Sequence, residues 1–276
     1  MSSSLARDRF TQAVQRPDEA INLALAALYI AQEEYPELDC GPYLQRLDTM
    51  AAELRDRLPA EAYPLKLIRA MNQYLFEARG FVGNHQDYYN PQNSFLNQVL
   101  DRRTGIPITL SLVYLELANR IDFPMAGVGM PGHFLVRPTL EEMGIFVDAF
   151  HKGEVLFEED CRDRIKTMYG KDARMLPQHL EPIGKKPFLA RILTNLKVIY
   201  LQRQDIARAL AAIDRILLLI PDSLMERRDR GLIYYREGRL PEAKADLKYY
   251  LLNHPNAPDS FEIQQVLSQI NAMLQE

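Results

Sequence analysis

The last third of the chain repeats itself, and this repeat restricts the fold more than any other feature of the sequence. Several residues recur at a constant offset of 34 positions. An offset of this length is typical of a helix pair that stacks on the next pair, because one pair alone cannot bury its apolar face. The recurring residues are Ile199, Tyr200, Ala209, Ile213 and Pro221 in the first copy, and Ile233, Tyr234, Ala243, Leu247 and Pro255 in the second. The pattern therefore predicts an all-α stack in this part of the chain.

The residue types of the two copies resemble those of tetratricopeptide repeats. Ala209 and Ala243 lie where the two helices of each pair are expected to touch, and a proline closes each copy. The two departures are Lys197, where glycine is usual, and Arg230, where leucine is usual. A last helix over residues 261–274 is expected to cap the stack. The resemblance implies a concave groove that binds a protein or peptide partner.

The remainder of the chain combines helical and strand patterns. Apolar residues at helical spacing dominate up to Asp122, after which short β-prone runs are separated by turn residues. The expected helices occupy two stretches between residues 17 and 58, then 64–77, a short helix from 95, and one from Pro107. The expected strands are 125–130, 133–137 and 144–150, with a short fourth at 155–157 and a polar turn at 139–143. Residues 160–186 are expected to be irregular or briefly helical and to lead into a linker at 184–187.

The composition excludes several classes of protein. The chain has 276 residues, of which 47% are apolar and 25% charged, as in ordinary globular proteins. A net charge of −4 gives no basic footprint for nucleic acid. No apolar run reaches the roughly 18 residues of a membrane span, and the polar start does not resemble a signal peptide. The two cysteines are far apart in sequence and form no CxxC pair, which fits a cytoplasmic protein.

His133 and Asp148 are the first candidates for chemistry. His133 follows a Pro-Gly pair at the start of one expected strand, and Asp148 comes 15 residues later, near the end of the next. Antiparallel strands joined by a short turn can set these side chains beside each other, with the carboxylate orienting the imidazole as in a catalytic triad. The alternative is a turn histidine that only satisfies its own hydrogen bonds.

Three motifs around these residues closely resemble the SirB-type branch of the transglutaminase-like superfamily. They are Asn-Ser-Phe-Leu at 93–96, Val-Leu-Asp-Arg-Arg-Thr-Gly-Ile-Pro-Ile-Thr-Leu at 99–110, and Pro-Gly-His-Phe-Leu-Val-Arg at 131–137. The resemblance implies an α+β fold, with a helical N-terminal part and a small antiparallel sheet of the papain type, followed by the tetratricopeptide stack. We expect the first domain at residues 1–183, and about two repeats plus a capping helix at 188–276.

The resemblance also implies a triad of cysteine, histidine and aspartate for acyl transfer or amide cleavage, and His133 and Asp148 match its last two members. The cysteine is expected at the start of the helix before the strands, where a helix N-terminus stabilises a thiolate. Pro107 lies at or beside that place. Thr109 and Ser111 follow in the same helix and could supply a hydroxyl nucleophile, or could instead bond to backbone and pack.

Cys40 and Cys161 lie outside the three motifs. The acidic residues that precede Cys161 are expected to raise its pKa and to oppose its activation. A candidate ligand-binding set consists of Asn93, Tyr88 and Arg137, although turn, cap and ion-pair roles explain such residues equally well.

Imidazole and carboxylate groups also suit a metal ion, and the residues available for one are His85, His133, His151 and Asp148. No pair among them has the HxxxH or HxxE spacing of a helical metal site. The sequence therefore predicts no metal and no cofactor.

These features together favour a noncatalytic or atypical transglutaminase-like domain coupled to a protein-binding repeat module, as in a regulatory or adaptor protein. The expected partner is a protein or peptide, with no role for nucleic acid or membrane. The alternative is a hydrolase or acyltransferase that acts on an amide bond through Ser111 or Thr109, with His133 and Asp148.

Overall fold

The computed structural model describes residues 2–58, 63–139 and 144–274. The chain divides into two compact units, residues 1–192 and 193–276. The first unit combines helices with a small sheet, and the second is helical, so the expected α+β fold followed by an all-α stack is confirmed. Most of the expected turn at 139–143 lies outside the described residues.

Seven α-helices belong wholly to the described part of the first unit. Their bounds are α1 Ser2–Val14, α2 Leu23–Gln32, α3 Cys40–Arg55, α4 Pro64–Asn72, α5 Leu96–Arg102, α6 Pro107–Arg120 and α7 Glu158–Tyr169. A π-helical segment, Gln73–Ala78, continues α4. The sequence prediction missed α1, whose apolar side is formed by Ala6, Phe10 and Val14 at a spacing of four residues.

The sheet lies in the second half of this unit. Its strands are β3 Met125–Val128, β4 Leu135–Pro138, β5 Ile145–Asp148, β6 Glu154–Phe157 and β7 Pro182–Ile183, in the order β6-β5-β4-β3-β7 with antiparallel pairing. The four expected strands are present, and β7 is an additional one. A separate parallel pair joins β1, Val82–Gly83, to β2, Thr104–Gly105.

Two helices contact the sheet region and position its residues. Helix α6 contacts β3 and β4 and the short 3-10 turn that follows β5, Ala149–His151. Helix α7 contacts β6, and its Cys161 and Ile165 pack in one apolar cluster with Leu135 and Phe146 of the sheet. The sequence predicts irregular or briefly helical chain over 160–186, and the helical part is α7, a helix of 12 residues. It starts with three acidic residues, and Asp160 accepts a hydrogen bond from the amide of Phe157.

The expected linker at 184–187 is also corrected, because three of its residues form the first turn of a helix. Helix α8 runs over Lys185–Gln202. Its first amides, those of Lys185 and Lys186, donate to the two carboxylate oxygens of Asp18 at 2.7 and 2.8 Å. The carboxylate of a residue distant in sequence thus satisfies the free N–H groups of this helix, an interaction that local sequence does not reveal.

Helix pairs with the 34-residue period form the second unit. After α8 come α9 Ile206–Leu219, α10 Leu224–Arg236, α11 Leu240–Asn253 and α12 Ser260–Met273. Ala209 and Ala243 are fully buried, as expected for the small residue of each pair. A Cβ atom on Gly231 would lie 2.8 Å from the side chain of Leu247, so the two helices of the second copy approach too closely for a larger residue.

Lys197 occupies the position equivalent to Gly231 in the first copy, and it holds the two copies together through charge. Its ammonium group lies 2.7 Å from the carboxylate of Glu226 and 3.0 Å from that of Asp229. The side chains of Lys197 and Glu226 are 8% and 9% exposed, so water screens their attraction little. The lysine at this position, where tetratricopeptide repeats usually have glycine, therefore forms a buried ion pair with Glu226.

Replacing Lys197 with methionine keeps most of the aliphatic stem but leaves Glu226 buried without its cation. We expect a loss of about 2 kcal/mol in the free energy of unfolding. The loss is smaller than for a fully isolated buried charge, because Asp229 keeps its ion pair with Arg228 and only Glu226 loses its cation. Urea denaturation followed by circular dichroism measures this change. The same substitution at the exposed Lys248 is the control and should cost less than about 0.5 kcal/mol; equal losses at both positions would contradict a role for the buried pair.

Candidate functional site

The ends of two neighbouring strands bring His133 and Asp148 together. Val136 of β4 lies opposite Val147 of β5, so His133, two residues before β4, and Asp148, the last residue of β5, meet at the same end of the sheet. Nε2 of His133 donates a hydrogen bond of 2.8 Å to Oδ2 of Asp148. The other ring nitrogen, Nδ1, is left for a further partner. The spacing of 15 residues thus produces the contact that the sequence suggested.

Asp148 is fully buried, and both of its carboxylate oxygens are occupied. Oδ1 accepts hydrogen bonds from the amides of Phe150 at 3.0 Å and His151 at 3.2 Å. Oδ2 accepts from His133, from Nδ1 of His151 at 2.7 Å, and from the guanidinium of Arg164. Arg164 also pairs with Glu154. Five donors therefore fix this carboxylate in one orientation.

Electrostatics keep Asp148 ionised. Burial alone would raise the pKa of its carboxyl, but hydrogen bonds and charge from His133 and then His151 outweigh burial and hold the pKa well below its usual range. Burial would likewise lower the pKa of the Arg164 guanidinium, and its contacts with Asp148 and Glu154 raise it instead. The centre of the site is therefore a permanent negative charge with cationic or protic partners.

An aromatic wall borders this charged centre. The ring of Phe150 lies 4.4 Å from that of His85, 6.1 Å from that of Tyr88 and 6.2 Å from that of His133, measured between centroids. His151 lies 5.5 Å from His85 and 5.7 Å from His133 by the same measure. Three of the five histidines of the chain therefore share one site with a single buried carboxylate.

The residues at the start of α6 that the sequence singled out are all buried. Pro107 is the first residue of the helix and is buried. The hydroxyl of Thr109 donates to the carbonyl of Asn93 at 2.6 Å and accepts from the amide of Ile106 at 3.1 Å, so it caps the helix. The hydroxyl of Ser111 is fully buried and has no hydrogen-bond partner among the described residues. No hydrogen bond joins either hydroxyl to His133 in the described part of the chain.

Neither cysteine has the lowered pKa of an activated thiol. Cys40 is the first residue of α3 and is half-buried, and burial raises its pKa. Cys161 is fully buried in the cluster between α7 and the sheet, and its pKa is raised to about 11. Burial is the main cause, and the acidic residues expected from the sequence to raise this pKa, Asp160 and Glu158, add to it. Such a thiol is almost entirely protonated at neutral pH.

The three expected ligand-binding residues lie in different surroundings. Tyr88 belongs to the aromatic wall, and burial raises its pKa. Asn93 is fully buried, and its side-chain amide donates to two backbone carbonyls and accepts from Asn84. Arg137 donates to the carbonyl of Leu180 and lies over the ring of Phe146, and within the described residues no hydrogen bond joins it to Asp148. The structure brings only Tyr88 of these three to the site.

Arg164 and Phe150 are site residues that sequence reasoning missed. Arg164 lies three residues after Cys161, on the face of α7 that meets the sheet, and its position follows only once that helix is known. The acidic start of α7 and the apolar pair Cys161 and Ile165 were the available signals. Phe150 carried no signal beyond its place as the last residue of the expected strand 144–150.

One group of residues in the described chain could hold a metal ion. A ring nitrogen of His133, a ring nitrogen of His151 and a carboxylate oxygen of Asp148 all lie within 4.8 Å of one another. The prediction of no metal rested on the absence of helical spacings, and these residues instead come from two strand ends and a turn. His85, the fourth metal-ligand candidate named from the sequence, has its ring beside those of Phe150 and His151.

Comparisons with known proteins agree with this architecture. Residues 41–194 match the family model of the transglutaminase-like superfamily, and residues 196–268 match a tetratricopeptide repeat model. A UPF0162 protein of Xylella fastidiosa strain 9a5c is 40% identical over 243 residues, which are 87% of this chain and 86% of that protein. A UPF0162 protein of Vibrio cholerae is 30% identical over 92% of this chain and 93% of its own length.

A more distant similarity extends to a human protein. F-box only protein 21 of Homo sapiens is 32% identical over 194 residues, which are 64% of this chain but 29% of that protein. No solved structure matches the chain. Within the described residues, every helix falls short of the length and apolar character that a membrane crossing requires.

Proposed function

Because the chain belongs to the transglutaminase-like superfamily, among the UPF0162 proteins, and carries tetratricopeptide repeats, we propose that it is a noncatalytic adaptor. In this proposal residues 1–183 form an atypical transglutaminase-like domain that keeps a histidine–aspartate pair, and residues 188–276 bind a protein partner. The free thiols of Cys40 and Cys161 fit a cytoplasmic protein, and the net charge of −4 favours a protein partner over nucleic acid.

One observation carries the noncatalytic part of the proposal: the helix that should present a nucleophile begins with Pro107. The hydroxyl of Thr109 is committed to capping that helix, and the hydroxyl of Ser111 is fully buried. Acyl transfer needs a nucleophile within hydrogen-bond reach of its base. The carboxylate that orients His133 is in place, but the group that His133 would activate is absent from this part of the helix.

The repeats support the binding part of the proposal. Stacked helix pairs form extended surfaces that hold peptides or helices. The described repeats also expose large apolar side chains, including Met225, Leu252 and Phe261. Exposed apolar groups of this size suit a contact with another protein.

Covalent labelling of the full chain tests the noncatalytic part. We expect no adduct on Ser111, Thr109 or Cys161 after treatment of the folded protein with a fluorophosphonate or with iodoacetamide at pH 8, read by intact mass and peptide mapping. A serine hydrolase labelled in the same vessel serves as the positive control. An adduct on Ser111 or Thr109 that disappears in the His133→Ala variant would overturn the proposal and favour the hydrolase.

Photo-crosslinking in cells tests the binding part with the intact chain. A photoreactive amino acid is placed at Met225, Leu252 or Phe261, and for comparison at the exposed Tyr63 and Val82 of the first unit. We expect one discrete protein adduct shared by the repeat positions. Adducts confined to Tyr63 and Val82 would contradict the assignment of partner binding to the repeats.

A further inference from the structure

We propose that His133, Asp148 and His151 bind a divalent first-row transition-metal ion, with Zn²⁺ as the best-suited ion. This site is independent of the adaptor role and would exist whether or not the repeats bind a partner. Its basis is the convergence of two imidazoles on one oxygen of a fully buried carboxylate. Two nitrogen ligands and one carboxylate form a common donor set for Zn²⁺ and for Fe²⁺.

The distances between the donor atoms are close to those of a metal site. Nε2 of His133 lies 2.8 Å and Nδ1 of His151 lies 2.7 Å from Oδ2 of Asp148. Ligand atoms around a tetrahedral zinc ion are about 3.3 Å apart, given metal–ligand distances of about 2.0–2.2 Å. Each nitrogen-to-oxygen distance therefore needs to lengthen by only about 0.5 Å, and the two ring nitrogens lie within 4.8 Å of each other, so the rings must also close around the ion. The ion replaces the two ring protons that now face the carboxylate.

The backbone already orients the carboxylate in the way that metal sites require. Oδ1 of Asp148 accepts the amides of Phe150 and His151, which leaves Oδ2 directed at the two imidazoles. Hydrogen bonds of this kind to a ligating carboxylate fix its direction and support metal affinity. In this arrangement Oδ2 of Asp148 would bind the ion, and the two backbone amides hold Oδ1 in place.

Arg164 is the competitor of the ion. Its guanidinium contacts the same Oδ2, so a metal ion must displace one positive charge as it binds. Arg164 has a second carboxylate partner, Glu154, on which it can remain after displacement. This competition leads to a specific expectation. Removal of Arg164 should strengthen metal binding, whereas removal of either histidine should weaken it.

His85 and His151 lie on the open side of the site. The side chain of His151 is 43% exposed, which gives an ion a path from water. The ring of His85, an exposed histidine, lies 5.5 Å from that of His151 and borders the three ligands without being one of them. Cysteine does not take part, because Cys161 is sealed in the apolar cluster. The ion would therefore have a mixed nitrogen and oxygen environment.

Titration of the untagged full chain with Zn²⁺ and Co²⁺ tests the proposal. Isothermal calorimetry is expected to give one Zn²⁺ per chain, and Co²⁺ is expected to show the visible absorption of a low-coordinate nitrogen and oxygen site. His133→Ala and His151→Ala should each weaken binding at least about tenfold, and Arg164→Ala should strengthen it. Mg²⁺, which prefers an all-oxygen shell, should not bind.

Three variants serve as matched controls. His179→Ala and His254→Ala remove the other two histidines of the chain, and Arg162→Ala removes an exposed arginine of the same helix as Arg164. All three should bind Zn²⁺ like the wild type. The absence of a one-to-one Zn²⁺ isotherm, or equal losses in the His151 and His254 variants, would overturn the proposal. Because His151 is exposed, its variant remains informative even if His133→Ala fails to fold.

Discussion

Asp148→Asn is expected to lower the free energy of unfolding by about 4 kcal/mol at neutral pH. The substitution keeps the shape of a fully buried side chain but removes the charge that pairs with Arg164 and orients His133. An asparagine can present only one oxygen, so several of the five donors now bonded to the carboxylate lose their acceptor. Urea denaturation in buffer with a chelator measures the loss without a contribution from metal.

The dependence of this loss on pH provides a second check. The folded-state pKa of Asp148 is depressed, so the stability that its charge contributes is fully present above the pKa of the unfolded chain, about 3.9, and is lost as pH falls towards the folded value. The difference between wild type and Asp148→Asn should therefore shrink as the pH falls below about 4. Asp163→Asn, at an exposed acid of the same helix as Arg164, should change stability by less than about 0.5 kcal/mol. A difference that persists unchanged into acid would contradict a role for the charge.

Gly153→Ala is expected to cost about 3 kcal/mol, since two separate penalties act at this residue. Gly153 has a φ of +77°, which an alanine adopts only with strain. A Cβ atom there would also lie 2.1 Å from the amide of Asn72. That amide donates to the carbonyl of Gly153 at 2.7 Å and accepts from the hydroxyl of Tyr114 at 3.1 Å, so its displacement breaks both bonds. Thermal unfolding and urea denaturation measure the change.

Gly238→Ala separates the two penalties. Gly238 has a similar φ of +71°, but nothing lies within 4 Å of the added Cβ atom, so only the backbone strain of about 1 kcal/mol should appear. Asn72→Ala combined with Gly153→Ala should recover part of the loss, because the smaller side chain makes room for the new methyl group. Equal effects at Gly153 and Gly238, or no coupling with Asn72, would show that the close approach is unimportant.

The sequence predicted the elements with a regular period and missed those that depend on distant contacts. The 34-residue offset revealed the repeats, and alternating β-prone runs revealed β3 to β6, because these signals arise within a short stretch of chain. Strand β7 begins with Pro182, a residue that argues against a strand, and it forms because an edge of the sheet is available. The start of α8 likewise depends on Asp18, which lies more than 160 residues earlier.

The candidate site was predictable to the same degree. His133 and Asp148 lie at the ends of consecutive strands, so their contact follows from the hairpin alone. Arg164 comes from α7, and its direction depends on how that helix packs on the sheet. The return of His151 to the carboxylate depends on the turn after β5, where Lys152 takes a left-handed conformation. Packing and turn geometry, rather than residue type, decide such contacts.

The buried Lys197 of the repeats also restricts how the repeat array can gain copies by duplication during evolution. Lys197 needs Glu226 and Asp229 of the following copy, whereas the same positions of its own copy hold Ile192 and Asn195. A duplicated first copy stacked on itself would therefore confront the ammonium group with an isoleucine and an amide. Copies held together by apolar contacts alone could exchange places. The ammonium group of Lys197, in contrast, fits only a following copy that carries the two carboxylates, so the order of the copies is fixed. Growth of this array by simple duplication is thus disfavoured unless Lys197 is replaced by a small residue.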